Sequence, residues 1–227
     1  MRQTEKFVLI HGAVLFGLGV ALAMFNPDYY HNVYSAEDGV LEWLTVLTLA
    51  TVSAVTAKRI WAGFEGFSWI QRLVLVSVAL LAAFGAGEEL SWGQRLFDTN
   101  VHEFLREHNA QAETNIRNLV VAGANINKLI FAKGMLVVFL LYLGVLTPFY
   151  FRSNSVRSLV DACAVPVPKS YQIAGYVLVI VTVEALLNMM PFEVPRRGEL
   201  TEFAVPLLVA LNVIYPQNFT VFEPVDH

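Results

Sequence analysis

Cysteine is almost missing from this chain. Cys163 is the only one in 227 residues, which excludes an internal disulfide and any thiolate metal cluster and leaves the redox compartment undetermined. Charge is scarce too, at 15% against about 25% in soluble domains. No long basic run occurs and the formal net charge is -4, so the chain lacks the electrostatic footprint of a nucleic-acid binder. The histidines never fall at H-x-x-x-H or H-E-x-x-H spacing. Nucleophile-elbow, P-loop and dinucleotide fingerprints are likewise absent.

Apolar residues fill the gap. They make up 56% of the chain, with a mean hydropathy of +0.55. This is the balance of a membrane protein, since soluble domains hold roughly 45–50% apolar residues. Runs suited to about 30 Å of hydrocarbon lie near Phe7–Phe25, Val40–Ala57, Leu73–Gly87, Leu129–Phe151, Ile173–Met190 and Phe203–Tyr215. Backbone polar groups in lipid must be satisfied within the segment, and no period-2 alternation argues for a barrel, so the expected fold is all-α: a polytopic transmembrane bundle of about six spans. The third run crosses only if its helix continues into the following motif, and the sixth only if "ELTEF" supplies its first turn. No repeat or composition shift divides residues 1–227. The N-terminal run imitates a signal peptide, with Ala21-Leu22-Ala23 as a cleavage site, but it reaches spanning length and is read as the first span.

Loop charge gives orientation. Lys58, Arg59, Arg72, Arg152, Arg157 and Lys169 fall in two short connections, which the positive-inside rule assigns to the cytoplasm together with both termini. The stretch from Asn26 to Asp38 has no Lys or Arg and faces out. Residues 91–128 read as an extracytoplasmic segment of amphipathic helices lying at the interface. Acidic residues concentrate on this same side, among them Glu37, Asp38, Glu42, Glu88, Glu89, Glu113, Glu184, Glu199 and Glu202.

The sharpest segment is "GEELSWGQRLF". On a continuing helix Glu88, Ser91, Trp92 and Arg95 share a face, so Arg95 needs a carboxylate partner from another helix. Ser35 is the expected N-cap of the second span, with Asp38 and Glu42 aligned at i, i+4. Helical spacing also aligns Gln111, Asn115 and Asn118, and separately Glu113 with Arg117. Lys133, about one turn into the fourth span, snorkels outward or pairs with one of these acids. Charges in a bilayer face the bundle interior or a wet cavity and find partners, so these groups are expected in one polar cluster at the outer end.

Two chemistries compete for it. The cluster pins helix ends together in a scaffold or accessory subunit, whose partners are the bilayer and other membrane subunits, with no nucleic acid. Alternatively it is a membrane-embedded enzyme for a lipid or lipid-linked substrate. Glu88 or Glu89 would then act as acid/base, since adjacent carboxylates repel and one tends to hold a proton. Asp38, Glu42, Trp92, Gln94, Arg95, Gln111, Glu113, Asn115 and Arg196 would line the substrate site, with the guanidinium groups gripping an anionic headgroup. A divalent cation held by Glu88, Glu89, Asp38 and Glu42 is chemically allowed. An ion-coupled carrier using Glu184 and Lys133 is a weaker third reading, without paired broken helices to support it.

At "EDGVLEWL", "GEELSWGQRLF" and "NAQAETNIRNL", within a match over roughly a third of the chain, the sequence resembles a group of uncharacterised bacterial polytopic integral membrane proteins, which implies a bacterial inner membrane. These carry E-D-G-x-x-E-W, G-E-E-[IL]-S-W-G-Q-R and N-x-Q-x-E-x-N segments. The positions the resemblance marks are Glu37, Asp38, Glu42, Glu88, Glu89, Trp92, Gln94, Arg95, Gln111, Glu113 and Asn115, and it implies no particular activity. A looser similarity to polytopic lipid amidases of the alkaline ceramidase kind lacks their paired zinc histidines.

Overall fold

The computed structural model describes residues 1–63, 66–121, 124–125 and 134–222. Almost all regular structure within them is helical, as the apolar composition requires. Helices α1 (Gln3–Phe25), α3 (Val40–Ala62) and α4 (Trp69–Glu89) are long and apolar enough to cross a membrane, and so is Ser170–Met189, which begins with α10 (Ser170–Ile180). A fifth candidate bends by 116° between Val137–Arg152 and Asn154–Ala162. It contains α7 (Met135–Leu141), α8 (Thr147–Arg152) and α9 (Asn154–Ala162). Short helices α2 (Pro27–Tyr29), α5 (Gln94–Phe97) and α6 (Glu103–His108) lie in the connections. The first part of the expected fourth span, with Lys133, lies outside the described residues.

The sixth expected span is α11 (Gly198–Ile214), in which "ELTEF" does supply the first turn. Its 17 residues cover only about 26 Å at 1.5 Å per residue, so its length alone does not mark it as a span. It is the central helix instead. Leu200, Phe203, Ala204, Leu208 and Leu211 are buried against Ala23, Leu41, Tyr176, Val179 and Val183 from α1, α3 and the α10 segment. Glycine permits the approach of α1, because a Cβ at Gly19 would stand 2.5 Å from Leu200 and 2.8 Å from Tyr34.

Pro206 interrupts the α11 ladder. Lacking an N–H, it frees the carbonyl of Glu202 four residues back. The hydroxyl of Thr45 on α3 reaches that carbonyl at 3.3 Å while also donating to Leu41 O at 3.0 Å. A sequence-level break thereby becomes a bond between helices. Pro148 stands at the start of α8, where the preceding turns, Tyr142–Leu146, widen into π-helix.

One end of the bundle is basic. Lys169 Nζ and the Tyr171 hydroxyl both converge on Glu5 Oε1, the lysine at 2.6 Å, and the backbone N–H of Arg2 donates to Oε2 at 2.9 Å. Glu5 is wholly buried by these groups. Arg59 caps α11 by donating to the carbonyls of Val213 and Ile214, where the helix dipole favours a cation. Asn218 ties the last turns to residues 161–167 through Asp161, Val165 and Val167.

The opposite end collects Asn26–Gly39, the segment after α4 and residues 190–197. Three sequence expectations change here. The third helix enters its motif only as far as Glu89 and gains its spanning length by starting earlier, at Trp69; beyond it Ser91, Trp92 and Gly93 all adopt positive φ, at 47°, 55° and 81°. Residues 109–119 are not helical but form a loop closed by a bridge between Asn109 and Leu119. Among the described residues of the connection after α4, α-helix is confined to four-residue α5 and six-residue α6. A two-residue antiparallel pair follows, β1 (Val120–Val121) with β2 (Ala124–Asn125). Finally, Ser35 does not cap α3. Its hydroxyl donates to Tyr30 O at 2.9 Å, and Gly39 takes the N-cap position.

Candidate functional site

The loop after α4 stays non-helical because side chains claim its backbone donors. Asn109 Oδ1 accepts from the N–H groups of Gln111 and Glu113 at 2.9 and 3.2 Å. Gln94 Oε1 accepts from Thr114 N at 2.7 Å. Glu88 Oε2 takes both Ile116 N and Arg117 N, at 2.7 and 2.9 Å, and Asn115 Oδ1 takes Asn118 N at 3.2 Å. Such local bonds compete directly with a helical ladder. The buried Glu88 therefore clamps the loop onto the end of α4. Its other oxygen accepts Trp92 Nε1 at 2.7 Å, which folds the indole back over Gly87, where a Cβ would sit 3.0 Å from the ring.

Arg95 is the hub. It finds the predicted partner from another helix in Glu42 of α3, and it meets Glu113 at 3.1 Å and Asp38 at 3.2 Å. Its Nη2 also donates to the carbonyl of Glu89 at 2.9 Å. Burial opposes the charge on Arg95, but the hydrogen bond and charge of Glu42, together with Glu113 and Asp38, raise its pKa above the ordinary guanidinium value. Glu113 Oε2 accepts from Ser91 Oγ at 2.9 Å and Asn115 Nδ2 at 2.7 Å. Asn115 is held in turn by Asn109 Nδ2. Glu42 closes the circle through its second oxygen, which accepts Asp38 N at 2.7 Å.

A second group forms around Arg117. Its Nη1 lies 2.6 Å from Glu89 Oε2 and 3.1 Å from Glu202 Oε2. Burial opposes the charge, and the neighbouring Glu89, Glu202 and Glu199 outweigh it, so the guanidinium is held above its ordinary pKa. Glu89 of α4 and Glu202 of α11 thus share one cation, and Glu199 of α11 acts on it from further away. At the rim, Glu37 Oε1 accepts Gln111 Nε2 at 2.9 Å and Arg196 Nη2 at 2.5 Å, while Arg196 Nη1 donates to Ser35 O at 2.9 Å.

Every residue expected in the site lies at this one end, but in separate groups. Arg95, Asp38, Glu42, Glu113 and Asn115 form the central knot. Glu88, Trp92 and Gln94 fasten the loop. Glu89 belongs with Arg117, and Gln111 and Arg196 with Glu37. Spacing on an assumed helix paired Glu113 with Arg117, whereas the loop sends them to different partners. Ser91 and Asn109 were not singled out as site residues, although Ser and Asn in a polar loop are the residue types that bond backbone locally.

Glu88, Glu89, Asp38 and Glu42 do not converge on a common point: one faces backbone N–H groups, one Arg117 and two Arg95. Among the described residues, no three His, Cys, Asp or Glu side chains are grouped to hold a metal ion. A half-open depression lined by Val55, Lys58, Arg59, Phe67 and Phe222 lies at the opposite, basic end, away from this chemistry. Compared with family models, curated proteins and solved structures, the chain matches none.

Proposed function

We propose that this protein is an integral membrane scaffold or accessory subunit of a bacterial inner membrane. Its carboxylate, guanidinium and amide cluster fastens an extracytoplasmic cap onto the helical bundle. The observation that carries this reading is how much of the cluster's bonding is internal, even though Arg95 Nε, 3.2 Å from Asp38, makes no hydrogen bond. Arg95 spends its guanidinium on three carboxylates and a carbonyl. Glu88 and Glu113 each accept three or more hydrogen bonds from the protein itself. Groups so engaged hold structure, whereas a reacting centre keeps capacity for a substrate.

In this reading the chain crosses the bilayer six times, with α11 as the sixth span, its short length accommodated by its central place among the others. Both termini are cytoplasmic. Support comes from the gathering of Arg2, Lys58, Arg59, Arg72, Arg157 and Lys169 toward the basic end. The cap lies at the outer interface, with Trp92, Leu96, Phe97 and Phe104 exposed for contact with headgroups and acyl chains. Purification from native membranes in mild detergent, followed by native mass spectrometry, tests the proposal. A reproducible membrane-protein companion is expected, and a lone monomer in every preparation overturns it.

One observation favours a second reading, an enzyme acting on a lipid or lipid-linked substrate. Glu89 and Glu202 share the one guanidinium of Arg117, with Glu199 close enough to act on it, which leaves acceptor capacity for a cationic or hydroxyl-bearing headgroup. Glu89 is then the acid/base group. Lipid profiling of cells carrying Glu89→Gln decides it: accumulation of one lipid species supports catalysis, and an unchanged profile removes it.

A further inference from the structure

The scaffold reading requires a place for a partner, and the surface of the candidate span Ser170–Met189 supplies one. Glu184 is exposed on this span, about 21 Å along from Ser170 at 1.5 Å per residue, and so still within the apolar layer. Around it Val177 and Val181 are 56% and 53% exposed, and Asn188 and Ala185 are exposed as well. Val177, Val181, Glu184 and Asn188 recur at steps of four, three and four, which is the stripe one helix presents to another. Small Ala185 beside it lets a neighbouring backbone come close. Asn188 Nδ2 is spent on Glu184 O at 2.7 Å, so what this exposed side chain offers a neighbour is its acceptor oxygen. The stretch Val181–Leu186 is π-helix, a local distortion that often marks functional positions in membrane helices.

We infer that the Val177–Asn188 stripe docks a transmembrane helix of a partner protein that carries a lysine or arginine level with Glu184. A carboxylate on a lipid-facing stripe is sustained by a cation, and the amide oxygen of Asn188 one turn on accepts from the same head group. The valines and Ala185 supply the packing that holds the two helices in register. The inference rests on the scaffold reading and names the chemistry of its partner.

The test uses the full chain reconstituted in phosphatidylcholine vesicles with a synthetic poly-leucine transmembrane helix carrying one lysine at the matching depth. An all-leucine helix is the control, and association is read by energy transfer. The lysine helix is expected to associate at least ten-fold better than the control, and Glu184→Gln is expected to erase the difference. Asn188→Leu should reduce it partially. Equal association of the two helices overturns the inference, as does a lysine preference that survives Glu184→Gln. Zero-length carbodiimide coupling, read by mass spectrometry, identifies the ammonium on Glu184. Coupling to Lys133 of the same chain, or to a second copy, overturns it in favour of those occupants. The two proposals fail separately. A native companion retained by Glu184→Gln leaves the scaffold standing and removes the docking stripe, whereas the lack of any companion removes the scaffold itself.

Discussion

Glu88 separates a structural clamp from a catalytic carboxylate by a single isosteric exchange. Glu88→Gln keeps size and shape but replaces one acceptor oxygen by an amide donor. Oε2 accepts the backbone N–H groups of Ile116 and Arg117, and Oε1 accepts the Trp92 indole N–H, so an amide in either orientation sets donor against donor. If the amide nitrogen turns toward Trp92, the variant loses one charge-assisted bond, about 1.5–3 kcal/mol, and weakens two more. The total loss is about 3 kcal/mol, or roughly a hundred-fold increase in loop opening at 1.4 kcal/mol per decade. Hydrogen exchange in detergent reads this directly. The Ile116 and Arg117 amides should exchange about a hundred-fold faster, while amides in the middle of α3 and α11 keep their protection. Trp92 fluorescence should shift at the same time, because the indole loses its anchor. Unchanged exchange at Ile116 and Arg117 would refute the clamp and return Glu88 to the candidates for proton transfer.

Three further outcomes follow from the same network. Arg95→Met should destabilise the protein by about 3–5 kcal/mol in reversible unfolding, since it strands buried carboxylates. Adding Glu113→Gln should recover more than 1 kcal/mol of that, and strict additivity of the two would show that the pair does not interact. Thr45→Val removes the donor that fills the carbonyl freed by Pro206, at a cost of about 1–2 kcal/mol. Restoring the ladder with Pro206→Ala should make the same Thr45→Val exchange nearly neutral, and an equal cost in both backgrounds would count against the link. At the basic end, Lys169→Met should cost about 3 kcal/mol by leaving Glu5 buried without its cation. Lys169→Met combined with Glu5→Gln should be more stable than Lys169→Met alone, as read by thermal unfolding.

Which parts of this could be read from residues alone follows from the range of the forces involved. Long apolar runs dictate helices because the segment must satisfy its own backbone, and α1, α3, α4 and the α10 segment lie where composition put them. The need of Arg95 for a partner on another helix was legible too, because a buried guanidinium has few alternatives, and Glu42 meets it. Where α4 stops was not. Ser91 and Trp92 are left-handed without being glycine, so no local propensity announces the turn, which is held by contacts made far along the chain. Glu88, 28 residues before Ile116 in sequence, fixes that loop through backbone N–H groups that have no residue identity to recognise.

The same reasoning explains why helical-face arithmetic located the polar residues of residues 109–119 but mispaired them. Asparagine and glutamate can satisfy a backbone donor as readily as a side chain, and here Asn109, Gln94, Glu88 and Asn115 together take six loop N–H groups. Once those donors are taken there is no helix, and spacing counted along one loses its meaning. The acidic excess at this end therefore does not by itself demand cations. Glu88 is satisfied by N–H donors alone, and Glu113 divides its oxygens between Arg95 and two neutral donors. What the acids have in common is a set of acceptors at the ends of apolar helices, where an irregular chain must be held without water at every donor. The exception is the group of Glu89, Glu199 and Glu202, where two carboxyl groups share the one guanidinium of Arg117 and a third stands near it. If any part of this end binds something from outside, the spare acceptor oxygens of this group suit that role better than the Arg95 knot does.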